Sequence, residues 1–280
     1  SAQVVIAQMN TFCPRTGGAK IHLDQIQYLV LKDEPLIELQ PPTIGEIEKK
    51  IGENVASLID DGSTLQLGIG AIPDAVLLFL KEKKDLGIHS EMFSDGVVEL
   101  AEAGVITNKK KTLHPGKFIA TFLMGTRRLY DFVDNNPDVE MHPVDYTNDP
   151  FIVAQNEKLM SINSAIQVDF MGQVNAEVIG GKQFSGIGGQ VDFVRGARRS
   201  KGGKSIIALP STASGGKVSR IVCELDPGSA VSTSRNDVDY IVTEYGIAYL
   251  RGKTLRQRAE ELIKISHPDF QAQLTENFRE

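Results

Sequence analysis

Short β-branched runs alternate along this chain with amphipathic stretches of helical period. Residues 4–9 and 27–31 are apolar runs of strand type. Between them, residues 11–20 carry Pro14, Gly17 and Gly18, which break regular structure and predict a loop. Residues 39–42 (LQPP) read as a linker, because consecutive prolines favour extended backbone and cannot enter a helix interior. Beyond it Ile44, Ile47, Ile51, Val55, Leu58 and Ile59 keep helical spacing. Thr43 and Glu46 supply a T-x-x-E capping box at its start, and Gly62 supplies the stop.

A βα rhythm follows. Strands are predicted at residues 64–67, 88–93, 118–123, 205–209, 219–222 and 240–243. A helix over about 73–83 follows the turn Gly68-Ile69-Gly70, with Pro73 in its first turn. A shorter one is capped by Ser94 or Asp95 and ends at Gly104; another runs from the box Thr254/Gln257 to about Ile265, before Pro268. Strands alternating with helices predict an α/β fold with an open, mostly parallel sheet flanked by helices. The linker divides the chain into residues 1–40 and 43–280.

Composition narrows the functional classes. With 280 residues, 41% hydrophobic and 24% charged, the chain has material for a sizeable core and no signature of disorder. A net charge of -6 and a pI near 5.5 argue against general nucleic-acid binding. No apolar run approaches the ~20 residues needed to span a bilayer, which argues against a membrane partner, and no secretory signal pattern follows Ser1. Cys13 and Cys223 make neither a metal nor a disulfide framework, which fits a cytoplasmic location. A start without Met, directly on a strand-like run, fits a piece of a longer chain.

Several familiar motifs fail on spacing. Gly203-Lys204-Ser205 imitates the end of a phosphate-binding loop, but Arg198 stands where its first glycine belongs. The runs starting at Gly68 and Gly186 open like dinucleotide fingerprints and lack the final glycine. No H-E-x-x-H or G-x-S-x-G occurs. What remains is a set of Gly-rich turns and acids at predicted strand ends, where ligands of open parallel sheets bind. Gly68 and Gly70 either offer bare N–H groups to an oxyanion or merely permit a tight turn. Gly186, Gly188 and Gly189 precede a basic cluster of Arg195, Arg198, Arg199, Lys201 and Lys204. That combination suits a phosphorylated small ligand; the plainer alternative is a flexible hairpin with a solvated basic face. Glu91 and Glu244 each end an apolar strand, as a nucleophile or base would, or as a buried ion-pair partner. His22, His89, His114, His142 and His267 are scattered without ligand spacing, so no metal site is expected; His89 stands out only for lying two residues from Glu91.

Taken in order, LGIGAIP, GIHSEMFSDG, FSGIGGQVDF and VTEYGIAYLRGKT resemble the acetyl-CoA hydrolase/transferase family, across essentially the whole chain. The resemblance implies the CoA-transferase (NagB/RpiA-like) fold. It makes residues 1–40 the end of an N-terminal domain and residues 43–280 the C-terminal domain of a longer enzyme. It implies Glu91 as the nucleophile, in the S/T-E-x-x-x-D-G segment. By the same resemblance the Gly68-Ile69-Gly70 turn and the loop around Gly186, Gly188, Gly189 and Gln190 supply donors near a thioester. Asn148, in TNDP, matches an active-site asparagine; Glu244 matches a supporting carboxylate; Arg195 and its neighbours would meet the nucleotide phosphates.

The implied chemistry is ping-pong transfer of CoA between a short-chain acyl-CoA and a carboxylate of 4-hydroxybutyrate or acetate type, through a glutamyl-CoA thioester. Coenzyme A enters as substrate, with no tightly bound cofactor and no metal required. A homodimer is expected for the full-length enzyme. Two alternatives stand beside it: an acyl-CoA hydrolase on the same scaffold, or a CoA-binding fragment inactive without its N-terminal half.

Overall fold

In this computed structural model residues 2–279 are described. The central sheet is built from β1 (Thr64–Leu67), β2 (Gly87–Ile88), β3 (Leu159–Ser164), β4 (Lys204–Ala208), β5 (Tyr240–Thr243) and β6 (Gly246–Tyr249). Their order across the sheet is β6-β5-β4-β3-β1-β2. All neighbours run parallel except the β5–β6 hairpin at one edge. This is the open, mostly parallel α/β sheet that the alternating pattern predicts. Strand side chains alternate between two cores with a period of two. Ile206, Ala208 and Val242 face a core built with Ile51 and Val55 of α1 (Glu46–Ser57), Val76 and Leu77 of α2 (Ala71–Leu78), and Val97 and Leu100 of α3 (Asp95–Glu102). Ile207, Leu209 and Ile241 face the other, with Val194 of α7 (Gln190–Arg199), Ala259 and Leu262 of α8 (Leu255–Lys264), and Leu274 of α9 (Pro268–Arg279). Three short helices, α4 (Arg127–Val133), α5 (Val144–Thr147) and α6 (Pro150–Val153), lie between β2 and β3 in sequence.

Several boundaries differ from the sequence reading, for local reasons. The predicted strand over 88–93 is broken. After β2, Ser90 N–H donates to Ile119 O, and Glu91 O accepts from the amides of Thr121 and Phe122. The chain therefore leaves the central sheet and pairs through Met92–Phe93 with Phe122–Leu123. Helix α1 is capped by Gly45, not Thr43: Glu48 Oε2 accepts from Gly45 N–H at 3.0 Å, while Ile44 stays outside the helix and lines an apolar cavity with Leu77 and Leu78. Helix α2 starts two residues before Pro73 and ends at Leu78. The capping box Thr254/Gln257 is present as expected.

Among the elements that escape the sequence reading, which include β6, α4, α5, α6 and α9, two bear most on the sheet and the site. Strand β3 occupies the centre of the sheet, and its polar Ser161 and Asn163 are satisfied by Gln66 of β1. Helix α7 occupies the stretch read as a Gly-rich loop and basic cluster. Residues before the linker are tied to those after it: Gly17–Gly18 pairs with Val139–Met141, and Leu39 N–H donates to Gly125 O at 2.9 Å.

Candidate active site

The break after β2 is what creates the site. Its two edges are pinned, so Glu91 protrudes from a rigid corner. Ser90 bridges to β1, its Oγ accepting from Leu67 N–H and donating to Leu67 O, both at 3.2 Å. His89 is wholly buried, its Nε2 2.9 Å from Thr147 O and its ring edge-on to Phe193. Burial pushes the His89 imidazole down to about 3, with the nearby Lys111 ammonium acting in the same direction. The ring is therefore neutral, and with a carbonyl as partner its Nε2 carries the proton. His89 is a strut between the Glu91 corner and the segment ending in Asn148.

Two donors converge on one carboxylate oxygen. Asn148 Nδ2 and Gly189 N–H each donate to Glu91 Oε2 at 3.1 Å. Asn148 terminates α5, whose C-terminal turn holds it 6% exposed. Gly189 is the N-cap of α7, so Glu91 also faces the positive end of that helix. Among the described residues no hydrogen bond is made to Glu91 Oε1. At Gly189 a Cβ would overlap both Glu91 Oε2 and Asn148 Nδ2, so close approach, not backbone angle, requires glycine there. Asp192, in the first turn of α7, lies in the same field; burial raises its carboxyl, Arg195 opposes this, and the charges of Glu91 and Asp149 add to it.

The other sequence candidates divide. The turn Gly68-Ile69-Gly70 follows directly on Leu67, the residue that anchors Ser90, and so lies beside the Glu91 corner. Gly70 has φ 110° and caps α2, and Ile69 is 60% exposed. Gly186 and Gly188 lie on the exposed approach to α7, Gly188 at φ 56°. Gln190 donates to Thr233 Oγ1 at 3.0 Å and makes no hydrogen bond to Glu91. Glu244 ends β5, four strand positions from β2, or about 19 Å across the sheet. It accepts there from Ser211 N–H at 2.9 Å and Ser211 Oγ at 2.6 Å, and not from any group bound to Glu91.

The basic cluster is not assembled as one anion site. Arg195 pairs with Asp237, Arg198 with Asp237 and Asp239, Lys201 with Glu157, and Lys204 with Asp60. Arg199 stacks on Phe151. Arg195, Arg198 and Arg199 are spread around the axis of a ten-residue helix, while Lys201 lies in the turn after it and Lys204 opens β4, which linear sequence conceals. Sequence reasoning also missed Ser90, Thr147 and Asp192. Adjacency to Glu91 and to Asn148 could have signalled Ser90 and Thr147, and Asp192 lies within the quoted segment FSGIGGQVDF.

A carboxylate held on one oxygen by a backbone N–H and a side-chain amide, at the carboxyl edge of an open α/β sheet, can keep its other oxygen free while the donors stabilise charge on the first. Sequence comparison gives the family: the acetyl-CoA hydrolase/transferase C-terminal domain matches residues 125–278, and the chain belongs to that family. Over 280 residues it is 65% identical to the 4-hydroxybutyrate coenzyme A transferase of Clostridium kluyveri, covering 100% of this chain and 65% of that protein. It is 50% identical to the succinyl-CoA:cyclohexane-1-carboxylate CoA transferase of Geobacter metallireducens, covering 99% of this chain and 64% of that protein. The crystal structure of RipA from Yersinia pestis superposes with a TM-score of 0.93 at 43% identity, covering 99% of this chain and 63% of that one. The chain thus spans just under two thirds of the length of these relatives.

Proposed function

We propose that this chain is the C-terminal part of a CoA-transferase that moves CoA between a short-chain acyl-CoA and a carboxylic acid of 4-hydroxybutyrate or acetate type. Residues 1–40 would close its N-terminal domain and residues 43–280 form its C-terminal one. The observation that carries this reading is the pair of 3.1 Å hydrogen bonds from Asn148 and Gly189 to the same oxygen of Glu91. They leave Oε1 as the attacking atom and Oε2 as the oxygen that bears charge when the thiolate attacks Cδ of Glu91.

The atoms then balance as follows. Oε1 of Glu91 attacks the thioester carbonyl, and CoA leaves as thiolate from a mixed anhydride. The thiolate attacks Cδ of Glu91, placing negative charge on Oε2 between the Asn148 amide and the Gly189 N–H. Collapse expels the donor acid, which carries Oε1 away with it, and leaves a glutamyl-CoA thioester. An acceptor carboxylate runs the sequence backwards and leaves as the new acyl-CoA. Each full cycle therefore replaces one oxygen of Glu91 with one from the acceptor acid. Donors aimed at such an oxyanion contribute several kcal/mol to the rate, at about 2.7–4 kcal/mol for one hydrogen bond. Water in place of the acceptor would give hydrolysis instead.

The test is to treat the protein with acyl-CoA alone and look for CoA bound as a thioester at Glu91, destroyed by hydroxylamine. E91A is expected to form none. Transfer at the normal rate by E91A would end the proposal, and steady CoA release without any added acid would convert it to the hydrolase reading.

A further inference from the structure

Away from Glu91, three residues with no part in the proposed chemistry come together on segments that the sequence keeps apart. His114 lies in the loop before Phe118–Ala120, Glu140 on Val139–Met141, and His142 just after it. Their donor atoms lie within 4.8 Å of one another. Glu140 Oε2 is 3.7 Å from His114 Nδ1 and 3.2 Å from His142 Nε2. Two ligands at 2.0–2.1 Å from a tetrahedral ion stand roughly 3.3 Å apart, so these separations bracket the spacing that an ion would impose. We propose that His114, Glu140 and His142 bind one divalent transition-metal ion of the zinc class, with a fourth position open to water.

The surroundings support a built site. The remaining ring nitrogen of His114, Nε2, lies 2.5 Å from the Tyr146 hydroxyl, which fixes the ring and leaves Nδ1 toward Glu140. A hydrogen-bond partner on the far nitrogen is the usual support of a metal-bound histidine. The Tyr146 ring also stacks on His142, with centroids 4.9 Å apart and planes 29° from parallel. All three ligand side chains are a fifth to a quarter exposed, open enough for exchange and too covered for free rotation. His114 has φ 50°, an unfavourable backbone region for a histidine and one that tertiary structure must maintain. One carboxylate and two imidazoles make an oxygen and nitrogen donor set of three, which zinc accepts with water as the fourth ligand. The nearby Lys111 ammonium is turned away, donating to Ile88 O and Lys117 O at 2.7 Å, and makes no ion pair with Glu140 among the described residues.

An ion here would tie the 107–117 loop to the segment that presents Asn148. His142 N–H donates to Ala120 O, and α5 begins two residues later and ends beside Asn148. The role is structural, and it holds whether or not Glu91 carries CoA.

Calorimetric titration of the metal-free protein with Zn²⁺ tests it directly. One equivalent per chain is expected, with a rise in Tm, and Co²⁺ in its place should give a visible ligand-field band. H142A and E140Q should each weaken Zn²⁺ binding by at least ~10-fold, and Y146F by roughly 10-fold to 100-fold through loss of ring orientation. H22A, which removes an exposed histidine paired only with Asp24, should leave binding unchanged. Absence of a stoichiometric Zn²⁺ site in the unaltered protein overturns the proposal without reference to any variant. So does Zn²⁺ binding that H142A and E140Q leave intact while circular dichroism shows them folded.

Discussion

Gly189 carries two demands in one position: it must donate its N–H to Glu91, and it must present no side chain to either Glu91 or Asn148. Its own backbone, at φ -88° and ψ 6°, is open to any residue, so G189A should fold with little change in Tm. The added methyl would instead push the carboxylate off both donors. We expect thioester formation at Glu91 to fall about 10²–10³-fold, the loss typical of one oxyanion donor, with the melting temperature nearly unchanged. A G189A protein that forms thioester at the normal rate would remove these donors from the mechanism. His89 makes the second prediction at this scale. Burial, aided by the Lys111 charge, holds the folded imidazole down to about 3, against an ordinary value of 6.5. Between those values the unfolded chain takes up a proton that the folded chain refuses. The stability from neutral His89 is therefore complete above about pH 6.5 and falls as the pH drops toward 3, by up to ~1.4 kcal/mol per pH unit. H89Q, which keeps a donor for Thr147 O, should lack this slope. Urea unfolding near pH 7 and pH 5 should separate the two proteins by about 2 kcal/mol in pH response; parallel profiles would show that His89 protonates in the folded state.

Helix α7 is the element through which packing reaches chemistry, because its N-terminus supplies the Gly189 donor and its body rests on α6. At Gly196 a Cβ would overlap Val153 of α6, whose first residue, Pro150, is two positions beyond Asn148. G196A should thus force α6 and α7 apart and move both donors relative to Glu91. Expected are a destabilisation of about 1–3 kcal/mol in chemical denaturation and a fall in thioester formation larger than that stability loss explains. Normal single-turnover rates in a folded G196A protein would show that the helix end is positioned independently of α6. This helix also marks where sequence reading reached its limit. Gly186, Gly188, Gly189 and the run of arginines suggested a loop, although Phe193, Val194 and Ala197 keep helical spacing and are buried. The Tyr240–Thr243 strand and the Thr254/Gln257 cap were legible, because apolar runs and capping chemistry are local. Strand β3 was not, since its buried Ser161 and Asn163 are tolerated only through Gln66, 95 and 97 residues away in sequence. Glu91 could be singled out from its own segment. Its donors Asn148 and Gly189, 57 and 98 residues distant, could be tied to it only by resemblance until the fold brought them to one oxygen.

At the scale of the whole molecule the two ends of the chain differ in how much they bury. Every residue from Tyr28 to Leu31 is exposed, as are Ile6 and Met9 on the strand beside it, with Leu31 at 75% and Ile6 at 65%. These two strands form a parallel pair alone, joined through four residue pairs from Ile6–Tyr28 to Met9–Leu31. Parallel sheets occur almost only with both faces covered, and an isolated two-stranded ribbon is marginal in water. The central sheet meets both conditions and the ribbon meets neither, while this chain covers only 65% and 64% of the two relatives' own length. If the chain is the C-terminal part of a protein of the relatives' length, as proposed, the remaining residues should complete the ribbon. In hydrogen exchange, the amides of Ala7 to Met9 and Leu29 to Leu31 should exchange within the first time points in the 280-residue chain. Those of β3 and β4 should be protected close to the global limit. In a protein of the relatives' full length the same ribbon amides should slow by several orders of magnitude, with the central sheet unchanged. Equal protection of ribbon and sheet in the 280-residue chain would mean that the pair is stable uncovered, and the expectation of a covering domain would lose its physical basis.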